Sequence, residues 1–230
     1  MVFSSLGDRA ILITLGDSID EATHRRVRAV TARIDAEPPD GFVDRVPAFA
    51  SVVVHYEPLL VSATGGRSPN DTFVEALRRL LADVRDDDLP PPRVVDIPVC
   101  YGGELGPDLE DVARQHGLAV QEVIDIHAAG DYLVYMVGFM PGFAYLGGLS
   151  DRIATPRRQT PRTAVPAGTV GIGGAQTGVY PLVSPGGWNL IGRTPLRIFE
   201  IDRDEPALMV TGDRVRFHPI TPDEFRAWAE

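Results

Sequence analysis

The sequence predicts an α+β protein of two domains, an α+β unit over residues 1–88 followed by a β-rich unit over residues 89–230. Three observations lead to this prediction. Helical and extended patterns follow one another in the order β-α-β-β-α through the first ninety residues. Three aspartates and three prolines within residues 86–93 then interrupt every regular pattern. Beyond them, short apolar runs alternate with glycine and proline, which is typical of a barrel or sandwich.

The element order of the first unit is close to a ferredoxin-like split βαβ arrangement. Apolar residues three or four positions apart predict a helix that begins at Ser18 or Asp20 and ends near Ala36. A second helix begins at Ser68, with Pro69 in the first helical position, where proline is favoured. Strands are predicted over residues 10–15, 43–46 and 51–56.

The second unit consists mostly of short predicted strands. Helical patterns occur over residues 107–115 and 120–128. Twelve of the 23 glycines lie between Gly138 and Gly192, so turns recur throughout that segment. Strands are predicted over residues 94–99, 132–137, 188–191, 196–201, 207–210 and 214–218, and a terminal helix over residues 222–229.

The composition is that of a globular protein and argues against several function classes. Apolar residues make up 44% of the chain, and the formal net charge of -10 argues against a nucleic-acid surface. No apolar run approaches the ~18 residues that a membrane span requires, and the first residues lack a signal-peptide pattern. Cys100 is the single cysteine, which fits a reducing compartment, so we expect a cytoplasmic protein.

The charge is distributed unevenly along the chain. Residues 132–199 contain one acidic residue and six arginines, a net charge of +5 by direct count, which leaves -15 for the remainder. Such a cationic stretch favours an anionic ligand or an acidic partner surface. Pairing of these arginines with acidic residues from the rest of the chain explains the pattern equally well.

All 22 basic residues are arginine, and the absence of lysine excludes several chemistries. The chain has no P-loop lysine, no Schiff-base lysine and no Ser–Lys hydrolase pair. The five histidines and Cys100 lack the spacing of metal ligands, so we predict no metal site. No G-x-S-x-G elbow is present. A self-contained hydrolase is therefore hard to assemble from this sequence.

Two stretches, residues 127–146 and 155–181, concentrate unusual residue choices. The first runs through a strand into a Gly-Phe-x-Pro-Gly-Phe turn. The second places arginines between prolines, which stiffen the loop, and arginine binds carboxylates through paired hydrogen bonds. The glycines that follow could offer backbone N–H groups to an oxyanion. For each residue, a role in a turn or in the core is the alternative.

We predict a small-molecule site built from these two stretches and the segment that follows them. For His127, a packed position on its helix is the alternative to a catalytic one. The candidate catalytic residues are His127, Tyr135 and Gln176. The candidate substrate-binding residues are Arg157, Arg162, Gly173, Gly174, Tyr180, Ser184, Trp188 and Arg193.

Residues 135–146, 155–162, 171–174 and 184–194 closely resemble the family of 5-oxoprolinase B subunits. This family is also called allophanate hydrolase subunit 1, and it includes KipI-type inhibitors of a sporulation histidine kinase. Residues 7–10, Gly-Asp-Arg-Ala, look like its opening strand. The resemblance covers essentially the whole chain. It implies a cyclophilin-like β-barrel domain after the N-terminal ferredoxin-like domain.

The resemblance implies one component, inactive without its partners, of an ATP-dependent complex that hydrolyses the cyclic amide 5-oxoproline to glutamate. The implied partners are allophanate hydrolase subunit 2, also called the 5-oxoprolinase C subunit, and an A subunit of the LamB/YcsF type. ATP is then used by the complex, with no recognisable ATP site in this chain. Two alternatives stay open: a KipI-type inhibitor of a sensor histidine kinase, and a carboxyltransferase-like module acting on urea or allophanate.

Overall fold

The computed structural model describes residues 1–62, 66–85, 89 and 91–228. The chain divides into two compact units, Met1–Pro91 and Pro92–Glu230. This division lies within residues 86–93, where the sequence predicts an interruption between the two domains. Residues 86–88 and 90 lie outside the described part of the chain. None of the helices in the described ranges combines the length and the apolar character that crossing a membrane requires.

The first unit is a four-stranded sheet with two helices. Its elements are β1 (Val2–Ser5), β2 (Ala10–Thr14), α1 (Glu21–Ala36), β3 (Phe42–Pro47), β4 (Ser51–Tyr56) and α2 (Pro69–Leu80). The sheet order is β1-β2-β4-β3, and all neighbours are antiparallel. This confirms the predicted split βαβ arrangement, because β4 lies between the two strands that α1 connects. β1, which the sequence analysis did not assign, occupies the edge beside β2.

Local sequence determines where both helices begin. The Asp20 side chain accepts a hydrogen bond from the Thr23 N–H at 2.8 Å, and Ser68 accepts one from the Asp71 N–H at 3.1 Å. These bonds satisfy amides that have no partner inside the helix. Alternation along β2 and β4 then directs one side of the sheet against the helices. The buried core includes Ile11, Ile13, Val27, Val52, Val54, Phe73 and Leu77.

The second unit is a closed barrel of seven strands, which confirms the predicted barrel class. Around the barrel the order is β10-β7-β6-β13-β5-β12-β9, and β8 and β11 form a separate two-stranded sheet. The strands are β5 (Val94–Tyr101), β6 (Tyr132–Val137), β7 (Ala144–Gly147), β8 (Arg162–Val165), β9 (Thr169–Gly173), β10 (Gln176–Val179), β11 (Ser184–Gly186), β12 (Asn189–Arg193) and β13 (Arg214–Pro219). The helices are α3 (Leu109–His116), α4 (Val120–Ala128) and α5 (Pro222–Ala227).

The barrel core receives side chains from strands and helices alike. Val170 and Ile172 of β9 enter it, together with Val112 of α3 and Val123 of α4. Because successive residues of a strand point to opposite sides, the glycines that alternate with Val170 and Ile172 face outward. The wall of the barrel is therefore smooth on the outside where β9 runs.

Three predictions for the second unit differ from the structure. Residues 196–201 and 207–210 are not strands, and in the described chain they contribute one isolated bridge, Phe199 to Ala207. The four consecutive charged residues at 202–205 form a turn and bends there, because they favour solvent over a paired strand. Conversely, the strands β7 to β11 were not predicted individually, since residues 138–187 read as turns rich in glycine and proline. The terminal helix ends at Ala227, and residue 229 lies outside the described chain.

We expect trypsin to cut the native chain first after Arg85. Arg85 is exposed and lies outside any helix or strand. Arg93, on the other side of the division, is held by two hydrogen bonds from its guanidinium to Asp213, at 2.7 and 3.2 Å. Mass spectrometry of a short digest should therefore give complementary fragments ending and beginning at this site. A first cut inside residues 135–190 would instead mean that the glycine-rich block opens more readily than the division between the units.

Candidate functional site

Trp188 lies flat against the outer wall of the barrel, on a floor made of glycines. A Cβ atom placed on Gly173 would come within 2.5 Å of the indole Nε1. On Gly178 it would lie 3.1 Å from the indole ring, and on Gly171 it would lie 3.2 Å from the Cβ of Trp188. Only 4% of Trp188 is exposed. These glycines are therefore required by the close approach of the indole to the β9–β10 wall.

An aromatic cluster, defined as Phe139, Phe143, Tyr145, Tyr180 and Trp188, covers this floor. The Phe143 ring is its centre, with centroids 5.0 Å from Tyr145, 5.3 Å from Tyr180 and 5.4 Å from Trp188, all in edge-on orientations. Phe139 contacts Phe143 at 5.6 Å, yet it is 65% exposed and has a φ of 70°, which is rare for a phenylalanine. The Gly-Phe-x-Pro-Gly-Phe turn thus supplies one buried and one exposed ring.

Asp108 joins two arginines to the barrel beside this cluster. Its Oδ1 accepts hydrogen bonds from Arg158 at 2.9 Å and from Arg162 at 2.7 Å, and its Oδ2 accepts the Leu190 N–H at 2.7 Å. Asp108 is 2% exposed, so this carboxylate is buried and fully engaged. The sequence analysis missed it, because an aspartate directly before α3 looks like an ordinary helix cap. Its side chain makes no such capping bond.

The arginines surround the aromatic rings with positive charge. The Arg157 guanidinium lies 5.9 Å from the centre of the Trp188 ring, within the range of a cation–π contact. Burial raises the pKa of Tyr180, while a hydrogen bond from the backbone N–H of Trp188 and the charges of Arg157 and Arg162 act in the opposite direction. Arg162 Nη1 and Ser184 Oγ are buried and have no hydrogen-bond partner among the described residues.

The glycine turn between β9 and β10 does not offer a free oxyanion hole at Gly174. The Gly174 N–H donates to the carbonyl of Thr155 at 2.8 Å, and Gly174 has a φ of 67°, as the tight turn requires. Gly173 belongs to the floor beneath Trp188. Gln176 is half-buried at the start of β10, directly opposite Gly173. The expectation that glycine amides face a ligand is therefore wrong for Gly174, whose N–H is already bonded.

Arg193 lies in a different place from the other predicted arginines. Its Nε donates to the carbonyl of Ala167 at 2.8 Å, and it lines a cleft of about 320 Å³ together with Arg197, Phe199 and Phe225. The residues that line this cleft include none of the aromatic cluster. The structure thus groups Arg157, Arg162, Tyr180, Ser184 and Trp188 and leaves Arg193 apart.

His127 is sealed inside the barrel, in a complete hydrogen-bond network. Thr177 donates its hydroxyl proton to the Gly171 carbonyl at 3.0 Å, so it must accept the proton of His127 Nε2 at 2.9 Å. The opposite nitrogen, Nδ1, then accepts from the Tyr101 hydroxyl at 2.8 Å. Burial lowers the pKa of His127 to about 3, so the ring stays neutral. This geometry gives no support to the predicted catalytic role, and a structural role explains every contact.

Tyr135, the second predicted catalytic residue, lies at a β-bulge. Val134 and Met136 pair with consecutive residues of β7, which leaves Tyr135 as the extra residue of β6. It is 9% exposed, and its ring packs so closely on Gly147 that a Cβ there would lie 2.1 Å away. The bulge thus redirects a large ring onto the one residue of β7 that leaves space for it.

The site can bind and orient an anion, whereas acid–base chemistry needs groups from outside it. Its described polar groups are guanidiniums, phenols and the Ser184 hydroxyl, and its carboxylate, Asp108, is already engaged. Among the described residues, no three His, Cys, Asp or Glu side chains are placed to hold a metal ion. Positive charge beside aromatic walls is suited to a small ligand with a carboxylate and a flat body.

Comparison with known proteins identifies the family. Residues 1–209 match the family model described as carboxyltransferase domain, subdomain C and D. The chain is 46% identical over 228 residues to the 5-oxoprolinase B subunit of Bacillus subtilis, covering 98% of this chain and 95% of that protein. The chain belongs to the family of 5-oxoprolinase B subunits. This confirms the resemblance predicted from residues 135–194.

Solved structures give the same fold for this member of the B-subunit family. The crystal structure of TTHA0988 superposes with a TM-score of 0.80 at 36% identity, covering 92% of this chain. The chain spans 40% of the length of TTHA0988. The crystal structure of the K. lactis urea amidolyase matches with a TM-score of 0.76 at 20% identity, over 98% of this chain and 15% of that one. At that identity the likeness is one of fold alone.

Gly173→Ala should destabilise this B-subunit family member by ~1–3 kcal/mol, because the new methyl group would overlap the Trp188 indole. Urea denaturation followed by tryptophan fluorescence measures the effect. Gly187→Ala is the matched control, since a Cβ there would meet Pro161 at an ordinary 3.7 Å. Equal stability of the two variants would contradict the close packing of the indole on its glycine floor.

The neutral His127 predicts a loss of stability in mild acid. Its pKa is about 3 in the folded protein and 6.5 in an ordinary environment, so the unfolded chain takes up a proton that the folded chain refuses. The contribution is present above pH 6.5 and is lost as the pH falls towards 3. Between pH 7 and pH 5 the wild type should lose ~2 kcal/mol of unfolding free energy more than His127→Gln does. Parallel losses in urea titrations of both proteins would contradict the sealed histidine.

Proposed function

We propose that this chain is the B subunit of an ATP-dependent 5-oxoprolinase complex, in which 5-oxoproline is hydrolysed to glutamate. The observation that carries the proposal is the 46% identity to a protein named as a 5-oxoprolinase B subunit, over nearly the full length of both chains. The site described above supports it, because 5-oxoproline is a flat lactam with one carboxylate. Arginines beside aromatic rings are suited to both of its parts.

The composition of the site also supports the proposal that this chain is active only together with partner proteins. Opening the lactam requires an activated water and groups that hold the phosphates of ATP. The chain has no lysine, and its buried His127 is bonded on both sides. We therefore assign ATP to the complex and place the general base and the phosphate-binding groups on the partner proteins. The proposed partners are the 5-oxoprolinase C subunit, also called allophanate hydrolase subunit 2, and an A subunit of the LamB/YcsF type.

The partner-binding face of this chain is proposed to border the aromatic cluster. Phe139 and Val183 are 65% and 69% exposed, and Leu182 beside Val183 is 40% exposed. Phe139 contacts the cluster through Phe143, and Leu182 and Val183 lie between Tyr180 and Ser184 in the chain. Exposed apolar residues next to aromatic and arginine side chains are the composition of interface hot spots. A partner bound there would bring its own groups to the ligand.

TTHA0988 supports the presence of a neighbouring polypeptide. The segment that matches this chain is less than half of that longer chain, at 36% identity. A segment like this chain is thus joined to further sequence in TTHA0988, which supports a partner that acts beside it. The match to the carboxyltransferase-domain model favours one alternative, a carboxyltransferase-like module acting on urea or allophanate. Incubating the same assembled proteins with urea, bicarbonate and ATP tests that alternative directly.

The purified chain should be inactive with 5-oxoproline and ATP, and glutamate should appear only when the partner proteins are added. Phe139→Asp and Val183→Asp should lower co-purification with the C subunit and reduce glutamate formation at least tenfold, because a buried unpaired carboxylate is costly at an interface. Ile201→Asp is the control, since Ile201 is 77% exposed elsewhere on the same unit. Turnover by the chain alone, unchanged by partners, would rule the proposal out.

A further inference from the structure

Two polar atoms beside the aromatic cluster are buried without a partner. Arg162 Nη1 carries two N–H donors and Ser184 Oγ carries one, and neither has a hydrogen bond among the described residues. Arg162 of β8 pairs with Gly186 of β11, and Ser184 lies two residues before Gly186 on that strand. A buried donor without an acceptor destabilises a fold, and donors attached to a charged group do so most. A bound acceptor would satisfy these donors.

Asp108 explains why one terminal nitrogen of the Arg162 guanidinium has a hydrogen-bond partner and the other has none among the described residues. It binds Arg162 Nη2 at 2.7 Å and also takes Arg158 Nη1 at 2.9 Å on the same oxygen. Its second oxygen is occupied by the Leu190 N–H. The planar guanidinium is thereby fixed at one nitrogen, and its orientation is set before any ligand arrives. Nη1 remains as a preorganised donor.

The local charge balance favours an anion. Arg157, Arg158 and Arg162 carry three positive charges, and in the described part of the chain Asp108 is the carboxylate that pairs with Arg158 and Arg162, which leaves a local charge of 3 − 1 = +2. Both Arg157 and Arg162 act electrostatically on the Tyr180 hydroxyl, which brings the three residues into one neighbourhood. One bound carboxylate would reduce this excess and accept the free donors at the same time.

We propose that Arg162 Nη1 and Ser184 Oγ form a carboxylate subsite for a small monocarboxylate with a flat body, and that Asp108 is its positioning residue. The flat body lies against the aromatic cluster, where Arg157 already covers the Trp188 ring. The inference deepens the proposed function, because 5-oxoproline belongs to this class. A carboxylate could also come from an acidic side chain of a partner protein, and the experiment separates the two sources.

The chain offers its own reporter for this binding. It contains two tryptophans, and Trp228 is 58% exposed on the terminal segment, so Trp228→Phe leaves Trp188 as the single fluorophore. This protein is titrated with L-5-oxoproline, with 2-pyrrolidinone, which keeps the lactam and lacks the carboxylate, and with benzoate, a flat monocarboxylate unrelated to the reaction. Both carboxylates should give saturable changes, and 2-pyrrolidinone should bind at least tenfold more weakly.

Substitutions in the subsite should weaken the binding of both carboxylates. Arg162→Gln removes a charged hydrogen bond and should weaken binding about ten- to a hundredfold, and Ser184→Ala about three- to tenfold. Arg152→Gln removes the same charge from an exposed position in the same cationic segment and should have no effect. Ser184→Ala retains nearly the whole side-chain volume, so it tests the subsite even if Arg162→Gln fails to fold.

Asp108→Asn tests positioning. It should reduce the preference for 5-oxoproline over 2-pyrrolidinone, because the guanidinium loses its fixed orientation. If Asp108 has only a structural role, the affinities for both ligands should fall by the same factor and the preference should stay unchanged. That result would overturn this assignment.

The outcomes separate the subsite from the proposed function. If benzoate binds in a way that depends on Arg162 and Ser184 while 5-oxoproline does not bind, the subsite is supported and the proposed substrate is contradicted. Turnover of 5-oxoproline by the assembled complex that is unaffected by Arg162→Gln and Ser184→Ala keeps the function and overturns the subsite. Absence of saturable binding of either carboxylate also overturns it. So does a result in which the two variants weaken only assembly with the partner proteins.

Discussion

The structure of the second unit depends on a barrel wall that is packed on both sides. Along β9, Val170 and Ile172 fill the barrel, and the glycines between them receive Trp188 on the outside. A side chain larger than hydrogen at the outward positions would lift the indole away from the wall. It would also move the aromatic rings that meet the indole edge-on. The contact between Arg157 and the Trp188 ring therefore depends on the absence of side chains beneath the indole.

In the described part of the chain, the second unit has two buried hydrogen-bond networks, and only one of them has a partner for every donor. Around His127 every donor and acceptor that the geometry defines is matched, from Tyr101 through the imidazole to Thr177 and the Gly171 carbonyl. Around Asp108 the carboxylate is saturated, while Arg162 retains free donors. A complete network stabilises a core, and an incomplete one beside a charged cluster is what a binding site requires before its ligand is present.

The sequence was sufficient for the outline of the fold and for part of the site. Caps at Asp20 and Ser68 and the alternation along β2 and β4 are local signals, so the first unit could be predicted from them. The arginine loop and the glycines also stood out, because their composition is unusual. The strands β8 and β11 could not be predicted, since their pairing joins segments that read individually as loops.

The roles of individual residues depended on burial and direction, which a linear pattern does not contain. His127 and Tyr135 were suggested by residue type, and the structure places the first inside the barrel and the second at a bulge. Gly174 has its N–H bonded to Thr155. Asp108 was overlooked because its position before α3 has an ordinary explanation. Its bonds to Arg158 and Arg162 span fifty and fifty-four positions along the chain.

The position of β1 has a consequence for how the first unit folds. In the usual ferredoxin-like order, the edge strand beside the first central strand follows the second helix, and it must return across the whole domain to pair. Here that edge is β1, which pairs with β2 through the short connection from Ser5 to Ala10. The most distant strand pairing of the fold is thereby replaced by a hairpin, which lowers the contact order and the entropy of loop closure. The sheet can be completed as soon as β4 has been synthesised, before any part of the barrel exists.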